Sequence, residues 1–125
     1  MGYNILLVDD SNVVKAVLKK ILTGSDLAIE QVLEAGNGVE ALKVLNSNSL
    51  DLVITDINMP SMDGIELIER MRLDMMLQNI PVIVISTDGS LTRITNLEEM
   101  GIKGYVRKPF VAEDILSVVN EVLKR

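Results

Sequence analysis

Apolar residues in this chain come in two spacings that alternate from one end to the other. Short unbroken runs, Ile5-Leu6-Leu7-Val8, Leu52-Val53-Ile54 and Val82-Ile83-Val84-Ile85, carry no polar residue at every second position. A strand with one wet face would alternate, so these runs predict strands covered on both sides. Between them, apolar residues recur every three or four positions. After Ser11, a good N-cap, they fall at Val13, Val14, Val17, Leu18, Ile21 and Leu22, which leaves Lys15, Lys19 and Lys20 for solvent. Thr23-Gly24-Ser25 stops that helix. The same alternation continues to the end. Ile29 to Leu33 reads as a second strand, and Gly36-Asn37-Gly38 as a turn into a short helix through Val39, Leu42 and Leu45. Asn46 to Ser49 is a polar loop, and the third strand ends on Asp56 before a Met59-Pro60 breaker. A helix from about Gly64 to Met76 buries Ile65, Ile68 and Met71. Pro81 introduces the fourth strand, which ends at Ser86-Thr87, and Leu91, Ile94 and Leu97 mark a fourth helix. Lys103 to Arg107 is a short fifth strand, followed after Lys108-Pro109 by a helix carrying Ile115, Val118, Val119 and Val122.

Strands and helices in strict alternation predict an α/β fold with a parallel sheet covered on both faces. Five such units fill a chain of 125 residues, so residues 1–125 are expected to form a single domain without repeat or long linker. The best fit is a flavodoxin-like, doubly wound, five-stranded sheet with five helices. Its strand order, 2-1-3-4-5, is taken from that fold and not from the pattern.

Composition removes several kinds of chemistry. Lys and Arg number 12 against 18 Asp and Glu, a formal net charge of −6. No basic face is available to replace counterions on a phosphate backbone, so no direct nucleic-acid binding is expected. The absence of cysteine excludes disulfides and thiolate chemistry and fits a reducing compartment. The start lacks a basic n-region, and no run approaches the ~18 apolar residues that cross a bilayer. A cytoplasmic protein without membrane insertion is the expectation. There is no histidine, which rules out Ser-His triads, His-ligated zinc and imidazole bases. Carboxylates, hydroxyls and lysines remain.

In open α/β sheets, ligands bind beyond the carboxyl ends of the strands, near the switch in strand order. The residues predicted there are Asp9 and Asp10 after the first strand, Asp56 after the third, Ser86 and Thr87 after the fourth, and Lys108 after the fifth. Three neighbouring carboxylates repel one another and need cations to stay ionised. Lys108 supplies one positive charge, and a divalent ion would bring the cluster near balance. Oxygen ligands with room for water and phosphate favour Mg²⁺. A carboxylate held against such charges can act as a nucleophile toward phosphorus, with Ser86 and Lys108 holding the phosphoryl oxygens. Taken singly, each residue has a plainer reading. Asp9-Asp10 could cap the first helix, Asp56 or Ser86 could end a strand, Lys108 could be a solvated loop lysine, and Tyr105 an ordinary half-exposed aromatic.

Four stretches in this order resemble the receiver domain of two-component response regulators. They are Leu7-Val8-Asp9-Asp10-Ser11, residues Thr55-Asp56-Ile57-Asn58-Met59-Pro60-Ser61-Met62-Asp63-Gly64, then Ser86-Thr87, and Gly104-Tyr105-Val106-Arg107-Lys108-Pro109-Phe110. The resemblance covers the whole chain and implies a signalling switch of a two-component or phosphorelay system. Asp56 would be the phosphoacceptor, taking its phosphoryl group from a sensor histidine kinase or a histidine phosphotransfer protein. Asp10, Asp56 and the Asn58 main-chain carbonyl would ligate Mg²⁺, with Asp9 acting through water. Ser86 takes the place of the switch hydroxyl, Lys108 of the phosphate-binding lysine and Tyr105 of the switch aromatic, and the Lys108-Pro109 bond is often cis in the family. Asn58, Thr87 and Asp88 occupy positions that modulate dephosphorylation. Thr87 departs from the family's usual Ala or Gly, and its larger side chain narrows access to the acyl phosphate. The protein would act as no enzyme beyond its own phosphorylation and dephosphorylation, and with no output domain in the chain it would bind a downstream target protein.

Three other readings compete. A phosphorylation-independent pseudo-receiver would have lost one of Asp9, Asp10, Asp56 or Lys108. A phosphatase acting through an aspartyl phosphate resembles Asp-x-Asp after the first strand, whereas Asp56-Ile57-Asn58 follows the third. A flavin carrier wants aromatics to sandwich its ring, and the chain has one Phe, two Tyr and no Trp. The methionines read as gap-filling core and helix-surface residues, although Met71, Met75, Met76 and Leu77 make one helix unusually apolar.

Overall fold

A computed structural model of the chain describes residues 2–124. Ten elements alternate through it: β1 (Tyr3–Val8), α1 (Asn12–Thr23), β2 (Ile29–Ala35), α2 (Gly38–Ser47), β3 (Leu52–Asp56), α3 (Gly64–Leu73), β4 (Val82–Ser86), α4 (Leu91–Glu99), β5 (Gly104–Arg107) and α5 (Ala112–Leu123). The five strands form one sheet in the order β2-β1-β3-β4-β5, and every neighbouring pair is parallel.

That order places the helices. Parallel crossovers are right-handed, so the helix lies on one face when the chain steps in one direction and on the opposite face when it steps back. Only α1 links strands in the β1-to-β2 direction; α2, α3 and α4 all carry the chain the other way. Two cores result. Leu18 and Leu22 of α1 share one with Ile115, Val119 and Val122 of α5, over Ile5, Leu7, Ile54, Ile83 and Ile85. Ala41 and Leu45 of α2, Leu67, Ile68 and Met71 of α3 and Leu97 of α4 form the other, over Leu6, Val8, Val53, Val82 and Val84. The unbroken apolar runs are thus explained: alternate residues of one strand feed opposite cores, and β3 and β4 are buried throughout.

The first four βα turns each end on a residue that caps the next helix. Ser11 Oγ accepts from Val14 N–H, Asn37 Oδ1 from Glu40 N–H, Asp63 Oδ1 from Glu66 N–H and Ser90 Oγ from Arg93 N–H. A cap of this kind stabilises its helix by about 1 kcal/mol. Here the caps of α1, α3 and α4 also fix where loops that carry expected site residues turn.

Expectations for three of the helices need correction. Lys15 is buried, because it shares one face of α1 with Leu18 and Leu22 at i, i+3 and i+7. It makes no hydrogen bond, yet no buried side-chain nitrogen among the described residues lacks a partner, so its ammonium reaches water past a packed stem. Val13 and Val17, in turn, are exposed. The third helix stops at Leu73, short of Met76. Asp74 ends it by taking Met76 N–H on its side chain and the N–H groups of Leu77 and Gln78 on its carbonyl. Leu77 therefore turns back into the core while Leu73, Met75 and Met76 stand 84–86% exposed, and Leu67 takes the fully buried place expected of Ile65. In α4, Leu91 is exposed and only Leu97 is fully buried.

Candidate functional site

The strand ends bring Asp9, Asp10 and Asp56 together, with one carboxylate oxygen of each within 4.8 Å of the others. β1 pairs directly with β3, Val8 opposite Thr55, so the next residue of each chain segment, Asp9 after β1 and Asp56 at the end of β3, must lie side by side. Asp9 and Asp56 are held in the same way. Asp9 Oδ1 accepts from Ser11 N–H at 2.8 Å and Asp56 Oδ1 from Ile57 N–H at 2.7 Å. The second oxygen of each accepts from Lys108 Nζ, both at 3.1 Å. Lys108 comes from the turn after β5, where its N–H donates to Ser86 carbonyl and its bond to Pro109 is cis. Asp10 is exposed and makes no hydrogen bond.

Burial pushes the Asp9 carboxyl above the ordinary value; the Ser11 N–H and Lys108 lower it without cancelling that cost, and the Asp56 charge adds to the rise. Burial pulls the Lys108 ammonium down, but hydrogen bonds and charge from Asp56 and Asp9 outweigh it and raise the pKa. The two shifts describe one imbalance: three carboxylates face one ammonium. A hard cation bound by oxygen fits that imbalance, and the exposed Asp10 leaves one side of the cluster open to solvent.

The rest of the expected site stands one strand over. Ser86 is 1% exposed, and its hydroxyl accepts from Asp88 N–H at 3.1 Å, with no bond to the carboxylates. Strand alternation turns Ser86 and Tyr105 toward the same face as Val84, the α3–α4 side. Tyr105 is half-buried against that core, and its hydroxyl donates to the Asp88 carbonyl. Asp88 is held below the ordinary carboxyl value by the N–H and side chain of Ser90, with help from Arg93 at 3.5 Å. Asn58, Thr87 and Asp88 are all exposed around the cluster. Sequence reasoning missed the apolar groove beside it. Val13, Val14, Val17, Thr87, Pro109 and Phe110 line a cavity of about 440 Å³ with Lys108 at its edge. The available signal was that Val13 and Val17 lie off the helix face shared by Leu18 and Leu22.

A flavodoxin-like sheet with carboxylates and a lysine at its carboxyl edge defines a class of phosphate-handling and signalling folds, not yet one family. Comparison with known proteins narrows it. The family description of the response regulator receiver domain matches residues 5–120. The chain is 34% identical to the chemotaxis protein CheY of Pseudomonas aeruginosa over 97% of its own length and 96% of that protein's. It is 37% identical to the chemotaxis protein CheY1 of Helicobacter pylori over 95% of each. Among solved structures, it resembles the chemotaxis response regulator CheY4 of Vibrio cholerae with a TM-score of 0.89 and 28% identity, over 98% of this chain and 100% of that one. A putative response regulator from Chloroflexus aurantiacus gives 0.91 at 28% identity over the full length of both. The chain belongs to the response regulator receiver domain family and is a CheY-like component of two-component signalling.

Proposed function

We propose that this receiver is switched by Mg²⁺-dependent phosphorylation of Asp56 and passes the signal on by binding a target protein. The observation that carries the reading is the bridging of Asp9 and Asp56 by Lys108 beside the open carboxylate of Asp10. Asp56 attacks the phosphorus of a phosphohistidine on a kinase or phosphotransfer protein. An oxygen–phosphorus bond forms, the phosphorus–nitrogen bond breaks, and the electron pair leaves with the imidazole. Asp10, Asp56 and the Asn58 carbonyl would hold Mg²⁺, with Asp9 acting through water; when bound, the ion neutralises charge on the phosphoryl oxygens. Lys108 follows those oxygens, leaving Asp9. The groove along Val13, Val17 and Phe110 offers the donor an apolar seat at the mouth of the site. The protein catalyses only this phosphorylation and the later hydrolysis of the acyl phosphate, which returns the Asp56 carboxylate and releases inorganic phosphate, with Asn58 and Asp88 flanking the path of the attacking water and Thr87 narrowing it.

Phosphorylation adds roughly one negative charge to Asp56. Ser86 then turns to donate a hydrogen bond to a phosphoryl oxygen and releases Asp88 N–H, which loosens the loop that Tyr105 now holds. Tyr105 moves inward, and the surface of α4, β5 and α5 around Arg93, Asn96, Lys103 and Arg107 changes for the target. Acetyl phosphate provides the test, read by intact mass and by amide shifts. One phosphoryl group should add with Mg²⁺ and none with EDTA, and shifts should spread to Tyr105 and α4. Equal labelling of Asp56→Asn would remove the nucleophile, and a silent Tyr105 region would point to another output face. If no condition labels the protein, it is a phosphorylation-independent binding module.

A further inference from the structure

The loop after β3 is pinned at two glycines. At its base, Gly64 N–H donates to Ile57 carbonyl at 2.8 Å, and a Cβ on Gly64 would meet Asp56 carbonyl oxygen at 2.2 Å. At its tip the chain turns sharply: Met62 N–H donates to Pro60 carbonyl, and Ser61 has φ +67°. The tip is held from outside by a different element. Gly38, the first residue of α2, donates its N–H to Met62 carbonyl at 2.9 Å. A Cβ on Gly38 would stand 2.6 Å from Met62 Cγ, 2.8 Å from its Sδ and 2.9 Å from its Cβ. The sulfur could swing aside, but Met62 Cβ moves only with the backbone, and the side chain is locked in the core at 7% exposure.

We propose that Gly38 is a positioning residue for the metal site: the start of α2 sets the height of the 57–62 loop, and through it the place of the Asn58 carbonyl. The inference rests on the Mg²⁺ reading above. Beside the Met62 side chain in the core, the Gly38 N–H is what holds the tip from another element, and Asn58 lies between the two pinned points. Any side chain at position 38 must push the tip away while the base stays bonded to Ile57, so the displacement falls on residues 58–62. Those residues would supply the one ligand in the set that is not a side chain.

The test is a Mg²⁺ titration of the full chain, followed by amide shifts, with melting curves taken in EDTA. Gly38→Ala should weaken Mg²⁺ binding about tenfold, the scale seen when a group supporting a metal ligand is lost. Shifts in the metal-free variant should concentrate on residues 57–63. Asn37→Ala removes the cap of the same helix without adding an atom against Met62, so it should lower the melting temperature and leave Mg²⁺ affinity unchanged. Adding Met62→Gly to Gly38→Ala removes all three clashing atoms and should restore much of the affinity, a coupling that independent losses would not give. Unchanged affinity in Gly38→Ala, or equal weakening by Asn37→Ala, overturns the positioning role while the Mg²⁺ reading stands. Failure of the parent chain to bind Mg²⁺ overturns both.

Discussion

The two halves of the carboxyl edge are built to different standards. Around β1 and β3, Asp9 and Asp56 sit on strands buried on both faces, each with one oxygen on a backbone N–H and the other on Lys108. Beneath them, α5 drives Ile115, Val119 and Val122 into the core. Around β4 and β5 the hold is thin. Of α4 only Leu97 is fully buried, Leu91 is exposed, and the Asp88–Arg93 pair lies in solvent. What fixes α4 lies at its far end, where Arg72 donates to the carbonyls of Met100 and Gly101 at 2.8 Å. The end nearest the carboxylates is held mainly by the Ser90 cap and by Tyr105 on Asp88. A firmly held half beside a thinly held one is the arrangement the proposed switch requires, since a ligand can bias only an element with two arrangements.

Hydrogen exchange would break this comparison most directly. Amides in the first half of α4 should exchange about tenfold or more faster than those of α5, because they open locally while α5 opens with the global core. Equal protection would mean that α4 is no looser than α5. Lys108→Ala sharpens the other side. It leaves Asp9 and Asp56 facing each other without a cation, so in EDTA the variant should lose about 2 kcal/mol, less than for a fully buried pair because Lys108 is partly solvated. Mg²⁺ should then stabilise it more than the parent. Chemical denaturation with and without the ion would show this, and a variant as stable as the parent would mean that the bridge contributes nothing.

The smallest effect belongs to Asp9→Asn. The folded carboxyl has a raised pKa, so its contribution to stability is complete below the ordinary value of 3.8 and is lost as pH rises through the folded value. Asparagine does not ionise and escapes that loss. In EDTA the variant should melt slightly higher than the parent at neutral pH, and the gain should vanish as pH falls toward 3.8. A gain that grows on acidification would reverse the sign assigned to Asp9 burial.

Much of this was legible along the chain. Unbroken apolar runs declared β3 and β4 buried on both faces, and Ser11 and the Gly36-Asn37-Gly38 turn marked helix starts that the structure keeps. Local signals of this kind survive because burial and capping act within one element, on residues a few positions apart. Asp9, Asp10, Asp56 and Lys108 could be gathered on paper once a parallel sheet was accepted, since strand ends then share an edge. Their bonding could not. Lys108 meets Asp9 across 99 positions, and only the β2-β1-β3-β4-β5 order sets the turn after β5 within reach of β1 and β3. The same holds for Lys15, whose burial depends on which face of α1 meets the sheet, and for the early stop of α3 at Asp74, where a side chain competed with the helix and won. Gly36-Asn37-Gly38 read as a turn, and it is one. That its last glycine must be bare was decided by Met62, a residue 24 positions later brought against it by the packing of α2 beside the β3–α3 loop.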